Sequence, residues 1–254
     1  MNPIPILTYH QIDKAPPKGT PMRSLYVSKN SFERQMMTLK VLGYKGLSMS
    51  ELQPYLLGQK QGRVIGITFD DGYLNNLVHA APILKSMNFS STCYVVSDLI
   101  GGTNSWDHML GVPSAPLMNL AQIKEWIDLG QEVGSHTRTH PHLIELEDSV
   151  AREEIELSKS ELQSRLGVVV NQFCYPYGQF TKFHAELVKA AGYWAATTTK
   201  RGRVQALNGS AGNLVTDKDY LFELPRVPVV RSTYWTQFIL KIATSYETRR
   251  AVMD

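Results

Sequence analysis

Val64-Ile65-Gly66-Ile67-Thr68-Phe69-Asp70-Asp71-Gly72 is an apolar run that ends on two adjacent carboxylates and a glycine. The apolar part reads as a strand and Asp-Asp-Gly as the loop that leaves it. Strand side chains alternate between faces, so Asp70 and Asp71 would diverge at a regular strand end. A break in geometry at Gly72 brings both to one cleft. A glycosidase pair must flank a bond from roughly 5 Å apart or more, which neighbouring residues do poorly. One metal ligand beside one general base fits better, and a plain Asp-Gly turn is the other reading.

Working outward, further strands are expected at residues 4–9, 91–96, 172–175 and 194–199, with a short run at 131–134 and another at 224–228. Between them apolar residues recur at helical spacing over 31–42 (Phe32, Met36, Leu39, Leu42), 50–57, 77–87, 119–129, 148–166 and 182–191. Pro82 is expected to kink its helix, and the Glu- and Lys-rich 148–166 helix to present a solvated face. A last helix over 233–245 carries Tyr234, Phe238 and Ile242 on one stripe, which closes the core. Strands alternating with helices indicate an α/β chain with parallel pairing, closed as a distorted (β/α) barrel with fewer strands than the full complement. An open doubly wound sheet is the alternative. The barrel is favoured because His10, Asp70, Asp71, His136, Tyr177 and Arg226 all fall at or just after the C-terminal end of an expected strand, where barrels place their chemistry.

The chain has 254 residues, 43% of them hydrophobic, enough for a single α/β domain spanning 1–254. A net charge of +3 from 26 basic and 23 acidic residues, with no run of five Lys or Arg, gives no reason to expect a nucleic acid partner. Arg201, Arg203, Arg249 and Arg250 read as solvated surface. Cys93 and Cys174 lie in apolar strand-like runs without CxxC spacing, as buried reduced thiols do. No apolar run approaches the length of a transmembrane segment, and Met-Asn-Pro-Ile-Pro-Ile lacks the features of a signal peptide, so a cytoplasmic location is expected.

Ser135-His136-Thr137-Arg138-Thr139-His140 places two histidines four apart. On a helical turn both imidazoles share a face, and a carboxylate from elsewhere would complete a three-ligand metal site, with Zn2+ the default ion; a pair of exposed loop histidines is the other reading. Trp106, in the irregular stretch 101–118, either stacks on a sugar ring or pins its own loop. A Gly- and Asn-rich loop is expected over 202–213.

Taken together, these residues resemble the polysaccharide deacetylases of the NodB-homology type, carbohydrate esterase family 4. Thr68-Phe69-Asp70-Asp71-Gly72 looks like their first motif and the His136/His140 stretch like their second. Cys174-Tyr175-Pro176-Tyr177-Gly178 is similar to the third, with Cys174 where the family has arginine. Ile6-Leu7-Thr8-Tyr9-His10 resembles the Tyr-His signature of the permuted branch that includes the poly-N-acetylglucosamine deacetylases, and no histidine follows His184. The resemblance covers roughly residues 4–231. It implies Asp70 as general base, Asp71, His136 and His140 as ligands of one divalent metal, and His10 as proton donor. The backbone N–H of Tyr177 is then expected to face the oxyanion, and Arg226 is the candidate to replace the missing arginine. The implied activity is metal-dependent removal of N-acetyl groups from a sugar or polysaccharide. An O-acetyl esterase and a non-catalytic, metal-containing sugar-binding protein are the alternatives.

Overall fold

A computed structural model of the chain describes residues 3–207 and 219–250. Its strands, in chain order, are β1 (Ile6–Tyr9), β2 (Gln11–Ile12), β3 (Tyr26–Val27), β4 (Lys45–Leu47), β5 (Val64–Phe69), β6 (Thr92–Val95), β7 (Glu132–Ser135), β8 (Gln172–Cys174), β9 (Ala195–Arg201) and β10 (Leu224–Pro228). Seven of them close a parallel ring in the order β1-β10-β9-β8-β7-β6-β5, and β5 pairs back onto β1 from Ile6↔Gly66 to Tyr9↔Phe69. β4 pairs with the first half of β5, and its Gly46 carbonyl accepts from Ser90 N just ahead of β6, so it wedges into the ring at the N-terminal end. β2 and β3 form a separate two-stranded ladder. Closure leaves the ring without a free edge.

Eight helices accompany the described strands: α1 (Lys29–Val41), α2 (Met49–Leu56), α3 (Ala81–Met87), α4 (Leu120–Asp128), α5 (Asp148–Leu166), α6 (Lys182–Ala190), α7 (Trp235–Ala243) and α8 (Tyr246–Arg250). Local chemistry sets several of their starts. Ser28 accepts from Ser31 N at α1, and Asn119 and Gln122 form a reciprocal capping box at α4. Phe32, Met36, Ile123, Trp126, Ile155 and Leu162 are fully buried against the ring, whose β5 is buried along its whole length. Such two-faced burial is what a parallel strand covered by helices requires. Aromatic contacts join the layers: Tyr9 meets Phe32 edge-on at 5.1 Å, and Phe69 meets Trp126 edge-on at 5.7 Å.

Several expectations need correction. Pro82 does not kink a continuous helix: Asn76–Ala80 is a π turn, and Pro82 sits in the first turn of α3, where its missing N–H costs nothing. Tyr234 is 74% exposed because it caps α7 from outside, leaving Phe238 and Ile242 to close the core. Arg201 is no free surface cation; its Nη1 lies 3.0 Å from the buried Glu247, tying α8 to β9. Of the expected loop 202–213, residues 208–213 lie outside the described residues. Cys93 and Cys174 are buried and unpaired with each other. Among the described residues no helix is long and apolar enough to cross a membrane.

Gly134 in β7 marks how tightly the ring interior is filled. A Cβ added there would lie 2.5 Å from Tyr94 Cδ1 and 3.0 Å from the Gln172 carbonyl. Gly134→Ala is therefore expected to lose about 1–3 kcal/mol of stability by overpacking, read as a Tm lower by several degrees.

Candidate metal and acid–base centre

At the C-terminal end of β5 the backbone turns left-handed at two successive residues, Asp71 (φ 75°) and Gly72 (φ 77°). The break thus begins one residue earlier than Gly72 alone would place it. Aspartate is one of the few side chains that tolerate this region. The turn is what directs both carboxylates into one cleft. Asp70 N is held by the Tyr9 carbonyl of β1 at 3.0 Å, so the turn starts from a fixed point.

His136 and His140 follow β7, but not on a helical turn. Thr137 (φ 65°) and His140 (φ 64°) are both left-handed, and the segment is a loop. Side chains take its backbone donors instead of helical carbonyls. Thr137 Oγ1 accepts from His140 N at 3.1 Å, and Glu154 of α5 accepts from Arg138 N at 2.8 Å, Thr139 N at 3.0 Å and Thr139 Oγ1 at 2.8 Å. Arg138 turns outward to Asp98 and Glu161, at 3.0 and 3.2 Å. Glu154 is only 7% exposed, so α5 does not present a uniformly solvated face. Its spacing with the buried Ala151, Ile155, Ser158 and Leu162 is the signal that marks it as inward-facing.

The loop delivers both imidazoles to Asp71. His136 Nε2 and His140 Nε2 each lie 3.4 Å from Asp71 Oδ1. His136 Nδ1 is 2.7 Å from the Cys174 carbonyl, which can only accept, so Nδ1 carries the hydrogen and a neutral ring points a lone pair from Nε2 at a carboxylate oxygen. Two acceptors facing each other in a buried site call for positive charge between them. The same demand appears in the titration of these groups. Burial pulls His136 down, but Cys174 and the carboxylates of Asp71 and Asp70 hold it well above its ordinary value. Burial raises Asp71, but His136 and His140 bring it well below the usual carboxylate range. One carboxylate and two imidazoles, with ligand atoms within 4.8 Å of one another, fit a divalent ion such as Zn2+.

Asp70 has different company. Arg226 forks onto it, Nη1 to Oδ1 and Nη2 to Oδ2, both at 2.7 Å. The guanidinium is 1% exposed and further held by Nε to the Thr198 carbonyl at 2.8 Å and Nη1 to Thr68 Oγ1 at 3.1 Å. Arg226 lies inside β10, not at its end, and so points into the ring interior. Its Nη2 also reaches Cys174 Sγ at 3.3 Å. Burial raises the Asp70 carboxyl, but the charge and hydrogen bonds of Arg226, with His10 and His136, bring it below its ordinary value and keep it ionised at neutral pH. His10 Nε2 lies 3.8 Å from Asp70 Oδ2, its side chain one-quarter exposed. Asn76, which sequence reading did not single out, holds this corner: its Nδ2 donates to the His10 carbonyl at 2.7 Å and its Oδ1 accepts from Ile12 N at 3.2 Å.

Aromatic rings line the mouth. Trp106 stacks on His140 (4.4 Å, 20°), Tyr177 meets His140 edge-on (4.7 Å, 75°), and His142 stacks on Tyr177 (3.8 Å, 5°). One face of Trp106 is thus spent on a metal-ligand candidate. Tyr177 is itself left-handed (φ 56°), and of the six non-glycine residues with positive φ among the described residues, four, Asp71, Thr137, His140 and Tyr177, belong to this site. Strained backbone concentrates where geometry is set by function.

Residues 58–196, 139 of the 254, match the family described as polysaccharide deacetylase. The match includes Asp70, Asp71, His136, His140 and Tyr177 but neither His10 nor Arg226. YxkH of Bacillus subtilis, described as a polysaccharide deacetylase, is 28% identical over 201 residues, 78% of this chain and 65% of that protein, so the chain spans less than two thirds of that relative. The poly-β-1,6-N-acetyl-D-glucosamine N-deacetylase of Staphylococcus epidermidis is 23% identical over 249 residues, 91% of this chain and 80% of that one. The fold superposes on the deacetylase PplD of Streptococcus pyogenes, solved in complex with acetate, with a TM-score of 0.78 and 26% identity, covering 95% of this chain and 98% of that one.

Glu154→Ala removes the acceptor of two loop N–H groups. It is expected to lose about 1–3 kcal/mol in denaturant unfolding and to weaken Zn2+ affinity about 10- to 100-fold, because the loop carries both histidines. Glu154→Gln keeps one acceptor oxygen and is expected to lose less on both measurements.

Proposed function

The chain belongs to the polysaccharide deacetylase family, and on that premise we propose that it hydrolyses N-acetyl groups of a glycan, releasing acetate and leaving a free amine on the sugar. The observation that carries this reading is the division of labour between adjacent carboxylates: Asp70 is gripped by Arg226 and Asp71 faces two imidazoles. When bound, a divalent ion held by Asp71, His136 and His140 supplies Lewis acidity toward the water and the acetyl oxygen that meet there. Asp70 takes the proton from that water as the water oxygen bonds to the acetyl carbon. Arg226 keeps the carboxylate in one orientation through the two parallel hydrogen bonds. The backbone N–H of Tyr177 donates to the acetyl oxygen as it gains charge. His10, in its protonated form, gives its proton to the sugar nitrogen as the carbon–nitrogen bond breaks, so the amine leaves neutral. The reading of a non-catalytic sugar binder rested on the arginine missing at Cys174, and the Arg226 fork removes that reason.

About one divalent ion per chain is expected in the purified protein, and His136→Ala or Asp71→Ala should lose it. Asp70→Asn should retain the ion yet release acetate from N-acetylated oligosaccharides at least roughly 10²-fold more slowly. Elemental analysis and acetate release on the same preparations decide this; full metal in the ligand variants would overturn the ligand set, and near-normal turnover in Asp70→Asn the base.

His10→Asn separates a proton donor from a structural residue. Expelling an amine needs protonation, whereas the leaving group of an activated aryl acetate is stable as an anion. Amide turnover is expected to fall by roughly 10²-fold or more with ester turnover and metal content little changed. Equal loss on both substrates would assign His10 to structural support.

A further inference from the structure

The loops that follow β1 and β10 leave adjacent strands on the same end of the ring as the candidate centre. Between them lie two surface cavities, about 850 and 400 Å³, that share Arg231 as a lining residue. The larger is lined by Lys14, Arg23 and Lys29, and the smaller by Arg34 and the exposed rings of Tyr234 and Trp235, 74% and 65% accessible. Neither has an Asp or Glu among its lining residues. None of these five cations forms an ion pair among the described residues; Lys14, Lys29, Arg34 and Arg231 are exposed and Arg23 is half-buried. Arg23 is instead braced by Nε on the Pro16 carbonyl at 2.7 Å, and the Arg231 backbone N–H by the Ser24 carbonyl at 2.8 Å, which joins the two loops into one wall.

Unpaired cations beside flat exposed rings match a particular chemistry: anionic groups for the charges and pyranose faces for the rings. We propose that this groove binds a carboxylate-bearing glycan strand, holding it along the side of the ring from which His10 reaches the centre. The inference rests on the reading that the cleft accepts an N-acetylated glycan, and it narrows that substrate class. N-deacetylation of an uncharged glucosamine polymer produces ammonium groups, which a cationic groove repels; a strand that carries carboxylates is held before and after the reaction.

Equilibrium binding of the whole chain to hyaluronan oligosaccharides, which alternate N-acetylglucosamine with a carboxylate sugar, tests it without requiring turnover. Hyaluronan is expected to bind about tenfold or more tightly than chitin oligosaccharides of equal length, and to weaken as salt is raised. Lys29→Ser combined with Arg231→Ser should weaken hyaluronan about tenfold, with chitin binding and Tm unchanged. Trp235→Ser should weaken hyaluronan but not inorganic polyphosphate. Equal affinity for chitin and hyaluronan, or an unaffected double variant, overturns the proposal. Polyphosphate or single-stranded DNA binding as tightly as hyaluronan also overturns it, as a surface that reads charge alone. Acetate release from chitin oligosaccharides with no hyaluronan binding would leave the deacetylase reading standing and remove only the groove. Hyaluronan binding with no acetate release from any N-acetylated glycan would do the reverse.

Discussion

A carboxylate and a guanidinium, both almost fully removed from water, meet in the middle of the ring: Asp70 is 3% exposed and Arg226 1%. Each ion alone would lose several kcal/mol of hydration in that position, and removing either partner of such a pair costs about 3–5 kcal/mol. The pair is tolerable only because every N–H donor of the guanidinium is used, on Asp70, Thr68, Thr198 and Cys174. That accounting holds only in a closed ring, since Asp70 follows β5 and Arg226 lies on β10, with β1 between them. Closure and the candidate base are thus one physical problem with one solution.

The second consequence is that two neighbouring aspartates are made chemically unlike. Asp70 keeps the strand direction and receives Arg226; Asp71 turns left-handed and receives two imidazoles. Positive charge is supplied to the first by a fixed side chain. For the second, the lone pair that His136 Nε2 presents to Asp71 leaves a position for a proton or a cation. A buried site that holds one carboxylate permanently paired and the other open to a divalent ion can separate base from ligand without separating them in sequence.

Behind the candidate ligands stands a layer whose work is to satisfy backbone. Glu154 accepts the N–H groups that the histidine loop would leave unmet, and Asn76 does the same for the chain around His10. Without such partners each buried donor would cost on the order of 1–3 kcal/mol, and the left-handed residues Thr137 and His140 would keep only the Thr137 Oγ1 and Ser97 contacts of their own loop.

Local pattern determined a large part of this molecule from residues alone. The apolar run before Asp70, the helical periodicity of α1, α4 and α5, the Asn119 cap and the placement of acidic and histidine residues at strand ends all depend on neighbours a few positions apart, and all are present in the fold. The pairing of His136 with His140 was legible for the same reason, through spacing and residue type, whereas Asp71 as their partner came from the family resemblance. The tertiary structure decided the rest. A helical turn for His136 to His140 was the natural reading of a four-residue spacing, but Thr137 and Glu154 take the donors that a helix would have used. Arg226 could be named as the candidate for the missing arginine, but its two-pronged grip on Asp70 could not follow from pattern, because it lies 156 residues away and reaches the carboxylate only through the register of β10 against β1. Glu154 carried a partial signal in its helical phase, yet only packing of α5 onto the loop turns a charged residue inward. Contacts across the ring are set by register, side-chain volume and the desolvation of charge, and these act between residues that the linear chain keeps far apart.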